Sequence, residues 1–439
     1  MWSYHPELLA RAVPRYTSYP TAAEFGDAVG PGDMANALAG IDVDAPVSLY
    51  AHIPYCRAIC WYCGCNTGAA NRTARLATYM ARLDEEIALV ADRVGDVRIG
   101  RIAFGGGSPN AIDPALFVAL VARLRGAFRC EDPVLSIEID PRGFDAEWAA
   151  ALGATGVSRA SLGVQTLDPQ VQTAIGRVQP VDDIHRTVAL LRGAGVASIN
   201  FDLMYGLPGQ TEASLLATLR DSIAMGPDRL AVFGYAHVPD LIPRQRRIDS
   251  AALAGAEARF AQAALAHAVL IDAGYVAVGF DHFARPGDAL ARASEAGTLR
   301  RNFQGFTEDP AQTLLGLGAS SISDFPVALL QNEKNTGRYG MRIDAGGFAT
   351  ARGLRRTAED RGRARAIELI LTRGVADLAA VAGIDAVRTQ LLAFERHDLV
   401  AWQGTTLQLA ADALPYARTI ASALDLYRPS APGRFSSAV

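Results

Sequence analysis

Four of the five cysteines, Cys56, Cys60, Cys63 and Cys65, fall within ten residues, and Cys130 stands alone. A disulfide framework spreads its cysteines to close loops, so this crowding points to a metal. Cys56, Cys60 and Cys63 follow the apolar run Tyr50-Ala-His-Ile-Pro-Tyr, with three and then two residues between successive thiols. Three thiolates from one tight loop can hold three irons of a cubane cluster. The fourth iron then lacks a protein ligand, and an open metal position is where substrate coordinates. A structural zinc bound by all four thiols is the competing reading. It requires a closed tetrahedron with only Gly64 between Cys63 and Cys65.

Further polar residues stand where a buried sheet would present them. Gly105-Gly-Gly107-Ser108-Pro109 follows a predicted strand, and glycines let backbone amides approach a ligand, although a tight turn explains the triplet too. Alternation places Ser136, Glu138 and Asp140 on one strand face; a buried carboxylate there must be paired or must bind something. Gln165, Asp202 and Ala236 lie near the ends of other predicted strands. Taken singly, Asp202 can cap the turn at 205–209 and Gln165 can cap a helix. His52 reads as a packed strand histidine, Cys130 as an inert buried thiol, and Trp61 as packing beside the cysteines.

The elements that must position these groups alternate in type. Strands are predicted over 47–53, 99–104, 134–140, 157–164, 198–204 and 229–237, with 276–281 as a possible seventh. Helices are predicted over 73–94, 113–128, 145–152, 182–194 and 211–224, several opening on a capping Asp or Thr. The pattern implies an α/β fold: a partial parallel (β/α) barrel of about six strands, with reactive groups at the strands' C-terminal ends. Residues 1–46, rich in Pro, Gly and Ala, read as a loosely ordered N-terminal arm, and 47–340 as the catalytic barrel with its extension. Residues 341–439 read as a small, mainly helical, winged-helix-like domain, with helices over 363–372, 385–395 and 411–423 and a hairpin over 399–410 turning at Gly404-Thr405. Arg352, Arg355, Arg356, Arg361, Arg363 and Arg365 at its entrance read as a solvated basic face.

Composition narrows the function. The chain of 439 residues is half hydrophobic, one fifth charged and carries a net charge of −4. That is a globular composition with no call for a nucleic-acid or membrane partner. No apolar run is long enough to span a bilayer, and the N-terminus lacks a secretory pattern, so a cytoplasmic protein is expected. Independently of these features, it is expected to act as a monomer.

The cysteine spacing, with Tyr62 just before Cys63, resembles the signature of the radical S-adenosylmethionine (SAM) family. The extension to Cys65-Asn66 and the preceding Tyr-x-His-Ile-Pro resemble its oxygen-independent coproporphyrinogen III oxidase branch. So do residues 15–21 (Arg-Tyr-Thr-Ser-Tyr-Pro-Thr), 281–286 (Asp-His-Phe-Ala-Arg-Pro) and 301–305 (Arg-Asn-Phe-Gln-Gly). The resemblance implies a [4Fe-4S] cluster on Cys56, Cys60 and Cys63. It implies S-adenosyl-L-methionine, two molecules per chain, held by Tyr50, Tyr62, Gly106, Gly107, Ser108, Glu138, Gln165, Arg177, Asp202, Ala236 and Ile322. Ser108 replaces the family's usual Thr and keeps its hydroxyl, whereas Gly176 replaces the Asn that usually precedes Arg177. Cys65 is the implied catalytic residue. Coproporphyrinogen III is the implied substrate, with Arg244, Arg246, Arg247 and Arg285 as candidates for its carboxylates, and with an unidentified electron donor and acceptor. A haem chaperone of a sister family is the nearer alternative, although such proteins usually lack the arm and carry Phe at the position of Cys65. A zinc-stabilised nucleic-acid-binding protein is the remoter one.

Overall fold

Apolar runs and alternating runs with one polar face become strands here, and the amphipathic stretches between them become helices packed against the sheet. A computed structural model of the chain describes residues 2–70 and 73–428. The main strands are, in chain order, β1 (Val47–Ile53), β2 (Ile99–Gly106), β3 (Val134–Ile139), β4 (Arg159–Gln165), β5 (Ser198–Tyr205), β6 (Arg229–Gly234), β7 (Val276–Val278), β8 (His282–Ala284), β9 (Thr313–Leu317), β10 (Ile322–Phe325), β11 (Ala328–Asn332) and β12 (Thr350–Arg355). They form one open sheet in the order β12-β11-β10-β9-β1-β2-β3-β4-β5-β6-β8-β7. From β9 to β6 all neighbours are parallel; both flanks are antiparallel. β1 is buried along its whole length and pairs Tyr50 with Ala103 on one side and Gly316 on the other.

The six predicted strands are all present, but the sheet is twelve-stranded and mixed, twice the expected number. The possible seventh strand is present as Val276–Val278; the other added strands are only three to six residues long, and three of them carry Ser, Asp, Gln or Arg, so their pattern is weak. Asp113, Asp145 and Thr211 cap their helices as expected, accepting from Ala115 N, Trp148 N and Ser214 N. The helix predicted from Asp182 instead starts at Val181 behind Pro180, so Asp182 sits in its first turn.

The passage to the C-terminal unit does not fall at 340. Helix Thr336–Asp344 straddles that point, and β12 still belongs to the main sheet. Beyond it, helices Ala358–Arg373 and Ile384–Arg396 pack with a three-stranded antiparallel sheet whose hairpin turns at Gly404-Thr405.

One expectation is overturned here and another holds only in part. Residues 2–46 are no loose arm: Leu8, Leu9, Val13, Tyr16 and Tyr19 are buried in one core with Ile367, Ile370, Leu391, Leu407 and Tyr416. Tyr16 Oη donates to Asp425 at 2.9 Å, and Arg301 donates to the carbonyls of Tyr16 and Arg15. The arginines of 352–365 form a solvated face only in part: Arg355, Arg361 and Arg365 are exposed, whereas Arg352 and Arg356 are half-buried and Arg363 is buried. Arg355 pairs with Asp33 and Arg356 with Asp324, while buried Arg363 donates to the carbonyls of Leu424 and Ala382. These cations join the arm, the sheet and the C-terminal unit.

A docked arm has a measurable cost of removal. Leu9→Ala should lower unfolding free energy by about 2–5 kcal/mol, the range for a truncated core leucine, as read by denaturant unfolding. A value near zero would restore the loose tail.

Candidate active site

β1 delivers the chain to the cysteine loop at the C-terminal end of the sheet, where a parallel fold gathers its reactive groups. Just past β1, Tyr55–Cys56 pairs with Gly68–Ala69, so the segment that carries the cysteines is tied at its base. Each of the first three sulfurs has a polar neighbour. Cys56 Sγ lies 3.1 Å from Thr67 Oγ1, and Cys63 Sγ accepts from the Cys65 amide at 3.4 Å. Buried Cys60 receives two guanidinium N–H groups, from Arg142 and Arg177, each at 3.3 Å. Burial pushes the Cys56 thiol up to about 11, whereas hydrogen bonds from the Cys65 thiol and amide hold Cys63 below the usual thiol range. N–H groups aimed at sulfur suit thiolates bound to iron, whose charge they offset, so the donor set fits a three-thiolate cluster. Cys65 is exposed and within electrostatic reach of Glu138.

The arginines on Cys60 are fixed by one carboxylate. Asp140 receives Arg142 at 2.6 Å and Arg177 at 3.2 Å. Against the push of burial, Arg177 and Arg142 hold its carboxyl below the ordinary range. Asn110 clamps Asp140 in turn, donating to its carbonyl at 2.8 Å and accepting from its amide at 3.0 Å, and Ser108 Oγ lies 3.3 Å from Asn110 Oδ1. Ser108 thus supports this chain of contacts, and its own amide is engaged by the Tyr55 carbonyl.

The glycines of the triplet are needed for approaches within the protein. A Cβ on Gly105 would lie 2.5 Å from Glu138 Oε1, one on Gly106 2.5 Å from the His52 ring, and one on Gly107 2.5 Å from the Tyr55 carbonyl. Gly106 also has φ +114°, and its amide donates to Glu138 Oε2 at 3.1 Å. Glu138 opens toward a half-open cavity of about 310 Å³, lined also by Ser161, Asp202, Phe233 and His282. The Glu138 side chain is solvent-accessible there, yet the protein packed around it still raises its carboxyl to about 7. Asp202 accepts from Ser161 and Asn200, both at 2.8 Å, while burial raises its pKa. At the cavity floor Arg101, Arg159 and Arg229 surround Glu308 and Asp288.

Other expected residues lie close by. Tyr50 Oη is 3.1 Å from His52 Nδ1. Ile322 opens β10, its carbonyl so near Gly316 that a Cβ there would approach to 2.5 Å, and Gly316 is the register partner of Tyr50. Gln165 ends β4 at φ +66°, a strained conformation for a residue with a side chain, and both it and Arg177 reach Gly163. Gln245 Nε2 joins Tyr62 to Ala236, donating to their carbonyls at 2.8 and 3.0 Å. Trp61 packs under the Arg247 guanidinium at 4.3 Å and against Gly176, where a Cβ would meet the indole at 2.6 Å. Gly176 is therefore required by Trp61. Arg244 reaches the Cys65 carbonyl at 3.4 Å, but Arg285 donates to Pro227 O at the opposite end of β6 and is set apart.

Sequence reasoning missed Arg142, Asn110 and Gln245, which act through loops and carry no periodic signal. It also missed the network behind His52. Ser320 Oγ lies 3.2 Å from His52 Nε2, Tyr79 Oη donates to the His52 carbonyl, and burial lowers the imidazole to about 4. Glu86 holds the adjoining turn, accepting from Gly318 N, Asn332 Nδ2 and Tyr339 Oη.

The sequence matches the radical SAM superfamily over residues 50–222. It is 44% identical over 425 residues to the oxygen-independent coproporphyrinogen III oxidase of Bradyrhizobium diazoefficiens, covering 94% of both chains. The protein of that name in Pseudomonas aeruginosa is 37% identical over 431 residues, covering 95% of this chain and 94% of its own. The solved coproporphyrinogen III oxidase of Escherichia coli, described as a radical SAM enzyme, superposes with a TM-score of 0.91 at 32% identity, over 97% of this chain and all of that one.

The buried carboxyl behind His52 sets a pH test. Burial raises Glu86 to about 7, so the folded state retains a proton that the unfolded state releases near 4.5. Its contribution to stability is complete below about pH 4.5 and is lost as pH rises through 7. The wild type should therefore lose roughly 3 kcal/mol more stability between pH 4.5 and 8 than Glu86→Gln, measured by denaturant unfolding across that range. Parallel pH profiles would show that Glu86 is ionised in the fold.

Proposed function

The chain belongs to the oxygen-independent coproporphyrinogen III oxidases of the radical SAM superfamily, and from that premise we propose how its residues divide the work. The protein is an oxidoreductase that converts two propionate side chains of coproporphyrinogen III to vinyl groups with loss of carbon dioxide, giving protoporphyrinogen IX without oxygen. The haem chaperone alternative is not favoured, since both the arm and Cys65 are present. The observation that carries this reading is a three-cysteine loop at the strand ends, near a cavity into which Glu138 opens.

When bound, the [4Fe-4S] cluster and S-adenosylmethionine supply one-electron bond cleavage and abstraction of a hydrogen atom from the propionate β-carbon. In our proposal Cys56, Cys60 and Cys63 hold the cluster, and Arg142 and Arg177 offset the charge at Cys60. Tyr50, Gly106, Gly107, Ser108, Glu138 and Ile322 shape the place of one S-adenosylmethionine. Glu138 is poised near neutrality, so a cationic amine beside it draws it into the carboxylate form and a charged hydrogen bond. Tyr62, Gln165, Arg177, Asp202 and Ala236 support a second molecule. The strained backbone of Gln165 and the cavity-facing Asp202 favour that assignment, while Arg177 must serve it alongside Asp140. Cys65 is proposed to act on the substrate side, and Arg244, Arg246 and Arg247 to meet substrate carboxylates. The floor arginines, already matched by carboxylates, are poor candidates for that role.

We further propose that the chain works as a monomer in the cytoplasm with a separate electron donor and acceptor, and that its C-terminal unit is winged-helix-like. Among the described residues no helix is long and apolar enough to cross a membrane.

Cluster-loaded protein given S-adenosylmethionine, a reductant and coproporphyrinogen III without air should form protoporphyrinogen IX, seen by chromatography after oxidation to the porphyrin. An intact cluster with no product would overturn the assignment. Cys65→Ser should keep its iron yet turn over poorly, whereas Cys63→Ser should lose much of it. Iron analysis and paramagnetic resonance decide between them; equal loss of iron in both variants would make Cys65 a ligand.

A further inference from the structure

Away from the cysteine loop, His5, Glu7 and His397 meet where the arm docks on the C-terminal unit. One donor atom of each lies within 4.8 Å of the other two. His397 Nε2 is 3.0 Å from Glu7 Oε1, and the two imidazole rings lie 4.0 Å apart, tilted by 36°. We propose that these three side chains form a divalent-cation site of the zinc class, and that a bound ion clasps the arm to the C-terminal unit.

Two imidazoles and a carboxylate are a three-ligand zinc set that leaves a fourth position to water. Bonds of about 2.0–2.1 Å in a tetrahedron place donors about 3.3 Å apart, so small side-chain rotations suffice. His5 is half-buried while Glu7 and His397 are exposed, which leaves both room for a water and access for an ion. With neutral imidazoles the trio carries one negative charge. Calcium and magnesium take oxygen ligands, so two ring nitrogens select zinc, cobalt or nickel. A bare Glu7–His397 pair is the competing arrangement. It uses one imidazole, whereas a shared cation uses both.

The backbone holds the ligands in place beforehand. The His5 amide donates to Tyr416 Oη at 3.0 Å, and that hydroxyl donates to the Ser3 carbonyl at 2.6 Å. Glu7 stands in the first turn of helix Pro6–Leu9, directly before the buried Leu8 and Leu9. His397 directly follows helix Ile384–Arg396. The clasp also bears on the site, because Arg15 of the arm donates to the Gly234 carbonyl at the end of β6.

The test uses the full chain with its cluster loaded and iron assayed, titrated anaerobically with Zn²⁺ by calorimetry and with Co²⁺ by absorption. One site is expected beyond the cysteine loop, weakened by about tenfold or more in Glu7→Gln and in His397→Gln with iron unchanged. Glu7 is exposed, so its replacement leaves the fold available for the measurement. Zn²⁺ should also slow proteolysis within residues 1–25 of the wild type and not of the variants. Unchanged affinity in a His5→Gln/His397→Gln double variant, or no binding in the micromolar range, would overturn the site. Binding that leaves proteolysis unaltered would overturn the clasp.

Discussion

Asp140 carries a buried negative charge between two guanidinium groups, and both guanidiniums also reach the sulfur of Cys60. A carboxylate so enclosed is tolerable only when matched, and removing one partner leaves the other charges unpaired in a poorly solvated place. The triad therefore demands that three separate segments arrive together: the cysteine loop after β1, the turn after β3 and the residues after β4. The Asn110 clamp adds the segment after β2. Parallel strands in this order bring those four segments to one end of the sheet, so the electrostatic demand and the topology agree.

Behind the site, the same economy recurs with neutral groups. Tyr50, Ser320 and Tyr79 satisfy every polar atom that His52 presents to them, and the ring fills the space that Gly106 leaves by lacking a side chain. Glu86 secures the turn that carries Ser320. The flanking antiparallel strands contribute His282 to the cavity on one side and bring Asn332 and Ile322 into this arrangement on the other.

Much of this was legible in the sequence where the signal is local. The cysteine spacing, the apolar runs of β1 to β6, the caps at Asp113, Asp145 and Thr211, and the Gly404-Thr405 turn each depend on a few neighbouring residues. The arm was misread because Leu8, Leu9, Val13, Tyr16 and Tyr19 follow no helical or strand period, and their partners lie more than three hundred residues away. The partners of Arg355, Arg356 and Arg363 escaped notice for the same reason: Asp33, Asp324 and the Leu424 carbonyl are distant in the chain. Glycines 105 to 107 are read from sequence for a ligand's approach or a tight turn; the close approaches of Glu138, His52 and Tyr55 to them are long-range contacts that no local pattern marks.

The shared core of residues 8–19 and 366–424 has a consequence for how the molecule is made. Synthesis runs from the N-terminus, so the apolar side chains of the first segment emerge long before the surface that covers them exists. The parallel sheet can assemble in the interval, because its strands follow one another along the chain. Until the last helices leave the ribosome, five buried-type side chains near the N-terminus remain uncovered, available to chaperones or to other nascent chains. Closure of the two extremities is the longest-range step in this topology, and the entropy of joining them places it late. A chain interrupted before residue 424 would keep its sheet and still display those side chains, a mark by which quality control could recognise it as unfinished.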